Sequence, residues 1–138
     1  MADKMVHRSG KRKEAIARTT IKPGTGIIRV NSMLLDKLNS RTVIEKIRLP
    51  LLLAADYVDS SKLDLITSVT GGGVMGQADA IACSIARGLV EYTGNDELLE
   101  AFVKYDRSLI AGDHRQTEVH KPSQSSKGPR HKRQKSYR

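Results

Sequence analysis

Residues 63–94 read LDLITSVTGGGVMGQADAIACSIARGLVEYTG, and the rest of the chain is arranged around them. Leu63, Leu65, Thr67 and Val69 alternate with Asp64, Ile66, Ser68 and Thr70, the two-residue period of a strand with one buried face. Gly71-Gly72-Gly73 ends that strand. The period then lengthens: Ala78, Ile81, Ala82, Ile85, Leu89 and Val90 recur as one stripe of a long amphipathic helix, which Gly94 stops. A strand that runs straight into a long helix predicts a domain of sheet and helices.

Working outward, Asn95 caps a further helix with Asp96 and Glu97 in its first turn and Leu98, Leu99, Phe102 and Val103 on its apolar face. Upstream, residues 5–22 read as one strand, with Ala15, Ala17, Thr19 and Ile21 on one face and Arg12, Ile16, Arg18 and Lys22 on the other. Pro23-Gly24-Thr25-Gly26 turns the chain into Ile27–Val30, so the two runs are expected to pair as a β-hairpin. Thr42 and Glu45 have capping-box spacing and predict a helix start, and Pro50 predicts a break with a second short helix from Leu51 to Ala55. After Asp113 the apolar pattern ends. Residues 1–113 therefore read as one globular domain with a basic N-terminal strand, and residues 114–138 as an extended basic tail that could reach about 80 Å.

Charge follows the same division. Residues 1–22 carry 7 basic and 2 acidic side chains, residues 23–113 carry 9 and 12, and residues 114–138 carry 8 and 1, within a formal net charge of +9. A mildly acidic body with two basic arms is an electrostatic footprint for a polyanion. The last twelve residues, KGPRHKRQKSYR, hold six Lys or Arg and no acid. The only aromatics are Tyr57, Tyr92, Phe102, Tyr105 and Tyr137, too few for a base-stacking platform, so phosphates rather than bases are the expected target. Lys11, Arg12 and Lys13 are consecutive, which on a strand turns Arg12 away from its two neighbours and lets the cluster touch phosphates on both sides. A single Cys83, no apolar run of membrane-spanning length and no signal-peptide pattern predict a soluble intracellular protein with no membrane partner.

Other motifs offer little chemistry. Gly71-x-Gly73-x-x-Gly76 after a strand imitates a dinucleotide-binding fingerprint. The acids twenty positions on, Asp96 and Glu97, open a helix instead of ending a strand, and too little polar sequence follows to complete a nucleotide-binding sheet. His7, His114, His120 and His131 lack metal-site spacing, and Asp106 and Asp113 have no nucleophile beside them, so helix capping and ion pairing with Arg107 or Arg115 are expected. No catalytic residue, metal or cofactor is predicted.

GKRKEAIAR (Gly10 to Arg18), PGTGIIRVN (Pro23 to Asn31), GGGVMGQADAI (Gly71 to Ile81) and QKSYR (Gln134 to Arg138) occur in that order. Through these blocks the chain resembles the universal ninth proteins of the small ribosomal subunit, in their archaeal and eukaryotic branch. The resemblance implies an α+β fold: a four-stranded sheet with helices on one side, as in the second domain of the fifth small-subunit protein, with a left-handed strand-helix-strand crossover. It also implies a non-catalytic, cytoplasmic role in the head of the small subunit among neighbouring head proteins. Expected ribosomal RNA contacts are Arg8, Lys11, Arg12, Lys13 and Arg18 in the first arm, Gly71, Gly72, Gly73 and Gln77 at the glycine turn, and Arg115, Lys127, Arg130, Lys132 and Arg133 in the tail. Lys135, Ser136, Tyr137 and Arg138 are the expected contacts to peptidyl-site transfer RNA, with Arg138 on the backbone of the anticodon stem-loop and Tyr137 where bacterial members carry Lys. Asp113-x-Arg115-x-x-Glu118 also matches, although Val119-His120-Lys121-Pro122 and serines follow it in place of a denser basic run.

Overall fold

A computed structural model describes residues 4–120 and Pro129. Among the described residues a five-stranded mixed sheet lies in the order β1-β2-β5-β3-β4, with β1 Val6–Arg12, β2 Ala15–Pro23, β3 Ile28–Val30, β4 Met33–Leu34 and β5 Leu63–Thr70. Four helices accompany it: α1 Arg41–Leu53, α2 Val74–Thr93, α3 Asp96–Tyr105 and the short α4 Ser108–Ala111. The α+β class holds, and the sheet has five strands where four were expected. The fifth is the two-residue β4, which pairs only with β3.

Residues 63–94 fold as their periodicity dictates. β5 buries Leu63, Leu65, Thr67 and Val69 and turns the intervening side chains away. Once α2 starts, almost every position from Ala78 to Leu89 is buried, because the helix is covered on two sides: β1, β2 and β5 lie beneath it and α1 beside it. Gly94 ends it in the left-handed region, its N–H donating to the Val90 carbonyl. Asn95 then caps α3, its side chain accepting the Glu97 N–H at 2.9 Å. Phe102 and Leu98 of α3 are fully buried, each removing apolar surface worth about 1.5–3 kcal/mol from water. Between β2, β5 and α2 sits a buried hydroxyl cluster, in which Thr19 Oγ1 lies 2.9 Å from Thr67 Oγ1 and 2.6 Å from Ser84 Oγ.

Three expectations need correction. Residues 5–22 are two strands, with a turn at Lys13-Glu14 that places Lys13 at φ 53°. β2 does not pair with β3; it pairs antiparallel with β5, and β3 lies on the far side of β5, parallel to it. The Gly24–Gly26 loop makes this crossing possible because the Asp64 carboxylate accepts the Thr25 and Ile27 N–H groups at 2.8 and 3.1 Å, fixing the loop over the start of β5. Finally, α1 runs unbroken through Pro50, whose buried ring packs in the helix's last turn. Its N-cap is Ser40, and Glu45 pairs with Arg41 instead of closing a capping box with Thr42.

The hand of the β3-α1-β5 crossover follows from chirality. Leu65 points into the core and donates its N–H to the Ile27 carbonyl on the β3 side. For an L-residue whose side chain faces the viewer in a strand running upward, the N–H points right, so β3 lies to the right of β5 when seen from the helices. The chain leaves β3, passes in front through α1 and enters β5 on the left. The crossover is left-handed, against the usual preference.

Candidate nucleic-acid interface

The hairpin turn at Lys13 reassigns the first arm. Because two residues intervene, Arg12 and Arg8 face the helices with Ala15 and Thr19, while Lys11 shares the outer face with Ile16 and Arg18. Arg8 pairs with Glu91 of α2. Arg12 is only 20% exposed and lies between two acids, 3.7 Å from Asp79 and in direct contact with Asp113. Lys46 of α1 holds the other oxygen of Asp79 at 2.5 Å. Arg12 thus turns away from Lys11 as expected, but toward carboxylates of its own chain.

Asp113 is where the tail begins, and its environment is fixed on every side. Its carboxylate accepts the Arg115 N–H at 2.8 Å and the Arg115 guanidinium at 2.9 and 2.7 Å, and it contacts Arg12. Those Arg115 hydrogen bonds, side chain first and backbone second, hold the Asp113 carboxyl well below the usual carboxylate range, with the charges of Arg115 and Arg12 adding to them. Arg115 is correspondingly pushed up, mainly by its hydrogen bond to Asp113. The Arg12 and Asp113 backbones also form a parallel bridge. Arg87 of α2 clamps the approach, donating to the Ile110 carbonyl at 2.7 Å and to the Ser9 carbonyl at 3.0 Å. Residues 114–120 then form neither helix nor strand. Asp106, one residue before the Arg107 cap of α4, accepts the Ser108 N–H at 2.8 Å, the capping role expected of it.

The glycine turn sits at the same end of the sheet. Gly71 and Gly72 have φ of 76° and 64°, and a Cβ on either would meet the β1–β2 turn, 2.5 Å from the Glu14 carbonyl oxygen and 2.9 Å from the Ala15 nitrogen. Their conformation and close approach explain the glycines without any ligand. A dinucleotide fingerprint needs its third glycine for tight helix packing. Here a Cβ on Gly76 would find its nearest neighbour at 3.7 Å, an ordinary contact. Gln77 folds back to donate to the Gly71 carbonyl at 3.0 Å.

The structure therefore gathers Lys11, Arg12, Lys13, the glycine turn and Arg115 at one end of β1, and Lys11, Arg12, Lys46 and Arg115 help to line a cleft of about 330 Å³ there. Arg8 lies further along β1, and Arg18 stands on the outer sheet face. Lys127, Arg130, Lys132, Arg133, Lys135, Ser136, Tyr137 and Arg138 lie outside the described residues. Among the described residues no group of His, Cys, Asp and Glu could hold a metal ion, and no helix is long and apolar enough to cross a membrane. Cys83 is a buried free thiol whose pKa burial pushes up, consistent with a core position.

Fold and charge together describe a small basic α+β protein. The sequence matches the family of ribosomal protein S9/S16 over residues 10–138. It is 47% identical over 135 residues to the small ribosomal subunit protein uS9 of Methanococcus maripaludis, covering 98% of this chain and 99% of that one. The uS9 proteins of Methanothrix thermoacetophila and Methanococcus vannielii are 47% and 45% identical over the same length and coverage. The chain belongs to the ribosomal protein S9/S16 family.

Proposed function

We propose that this chain is a non-catalytic component of the small ribosomal subunit in the cytoplasm, whose body, residues 1–113, docks on ribosomal RNA in the subunit head. Its tail, residues 114–138, carries Lys135, Ser136, Tyr137 and Arg138 to the backbone of the peptidyl-site transfer RNA. The single observation that carries this reading is the fixed root of the tail. Arg12, Arg115 and Arg87 hold the chain from Ile110 to Arg115 against β1, so a basic extension leaves the body from one set point, beside Lys11, Lys13 and the glycine turn. A fixed root shortens the segment that must be ordered on binding.

Membership of a ribosomal family supports the RNA partner, and the segregation of cations into the two arms supports phosphate contact as its mode. In small subunits assembled with a chain lacking Lys127–Arg138, subunit assembly should persist while peptidyl-site transfer RNA binds more weakly. Unchanged transfer RNA affinity would remove the tail from the reading.

A further inference from the structure

The outer face of the sheet carries cations in an arrangement that the tail and its root leave unexplained. Cross-strand register places its side chains in ranks: Lys11 with Ile16 and Thr70; Ser9 with Arg18 and Ser68; His7 with Thr20, Ile66 and Arg29; Lys22 with Asp64. Every rank holds a Lys or an Arg. Diagonal neighbours such as Lys11 and Arg18 stand roughly 7–8 Å apart, so the positive charge covers the face instead of clustering at a point.

The two faces of β1 and β2 differ in how their cations are matched. On the helix side, Arg8 meets Glu91, and Arg12 meets Asp79 and Asp113. On the outer side, Lys11, Arg18, Lys22 and Arg29 form no ion pair among the described residues, although acids elsewhere in the body are plentiful. The one carboxylate on this face, Asp64, accepts the Thr25 and Ile27 amides and feels the charge of Lys22 opposite it, which leaves Lys11, Arg18 and Arg29 as the unmatched cations. Unmatched charge on an open face points to a counter-charge from outside. Between the cations stand hydroxyls (Ser9, Thr20, Ser68, Thr70), the imidazole of His7, and three exposed aliphatic side chains, Ile16 at 37%, Leu34 at 39% and Ile66 at 45%. The face has no Phe, Tyr or Trp, and its imidazole is held by Thr20 at 2.9 Å, so what it offers in quantity is charge to phosphates and hydroxyl hydrogen bonds to sugars.

We infer that the outer sheet face is a second docking surface, contacting the sugar-phosphate backbone of ribosomal RNA through Lys11, Arg18, Lys22 and Arg29. This rests on the proposed ribosomal role and adds Lys22 and Arg29 to the contacts expected from the sequence. It also makes RNA binding by the body independent of the tail.

The test is the salt dependence of binding of full-length protein to deproteinised small-subunit ribosomal RNA. A K11Q/R18Q/R29Q protein loses three phosphate contacts. Its log-log salt slope should flatten by about 2–3, and its affinity at 0.1 M salt should fall by about 100-fold. A charge-preserving K11R/R18K/R29K protein should bind as the unaltered chain does, which separates charge from any effect on folding. If the unaltered protein binds RNA and the deletion of Lys127–Arg138 weakens it, while the triple Gln protein keeps its slope, the outer face is not an RNA surface and the ribosomal reading stands. If the unaltered protein binds no ribosomal RNA, that reading falls with it. A triple Gln protein that keeps RNA binding but no longer retains an acidic protein of the subunit would assign the face to a protein partner and overturn the inference.

Discussion

Replacing Gly10 by Ala tests the packing that joins the first basic strand to the central helix. A Cβ at this position would lie 2.2 Å from the Ala80 carbonyl oxygen, 2.6 Å from the Ser84 nitrogen and 3.1 Å from the Cys83 Cβ. Two of these neighbours are backbone atoms inside α2, so no side chain can rotate away; strand and helix must part by about 1 Å. Overpacking of this kind costs about 1–3 kcal/mol. In a chain of this size that corresponds to a fall in Tm of about 4–12 °C, readable by circular dichroism. Gly76→Ala is the internal control. It introduces the same methyl group into the first turn of the same helix, where the nearest neighbour is 3.7 Å away, and should raise stability by about 0.5–1 kcal/mol because alanine restricts the unfolded chain. A Gly10→Ala protein melting within about 1 °C of the unaltered chain would refute the claim that glycine permits this close approach.

Other perturbations address the core and the tail root. Thr19→Val removes the hydroxyl that Thr67 and Ser84 share and should cost about 1–2 kcal/mol in denaturant unfolding, while Thr19→Val with Thr67→Val should cost less than the sum of the two single changes; strict additivity would argue against one shared network. Asp113 has a folded pKa below its unfolded value, so the stability it contributes is present above the unfolded value near pH 4 and is lost as pH falls from there toward the lower folded value. The Tm gap between the unaltered protein and Asp113→Asn should therefore be open at neutral pH and close in acid; a gap constant with pH would show that the carboxylate does not anchor the tail. Phe102→Ala should destabilise by about 3–5 kcal/mol, since the ring is fully buried where α3 closes the core, and a loss under 1 kcal/mol would contradict that burial.

What could be read from the sequence was set by local periodicity. β5, the glycine turn, α2 with its Gly94 stop and the Asn95 cap each carry their signal within a few residues, and each folds as read. The failures lie where pairing is non-local or a turn lacks its usual residues. Lys13 adopts a left-handed conformation with no glycine to mark it, so a hairpin read as one long strand, and that error placed Arg12 on the same face as Arg18. Nothing near β2 indicates that its partner is β5, forty residues on; the signal is Asp64, whose carboxylate orders the Gly24–Gly26 loop and reads alone as one more polar strand residue. β4 is too short to show a period, and Pro50 is tolerated where its ring is buried at the end of α1. For the candidate interface, the sequence supplied the cations, while the register supplied the distinction between those answered by Glu91, Asp79 and Asp113 and those left facing solvent.

The most direct measurement is sucrose-gradient sedimentation of small ribosomal subunits at moderately high salt after incorporation of a chain ending at residue 126. Docking through the body predicts that the shortened chain travels with the subunit as the full-length chain does. A shortened chain left at the top of the gradient, with the full-length chain retained, would place the binding in the tail and contradict the account.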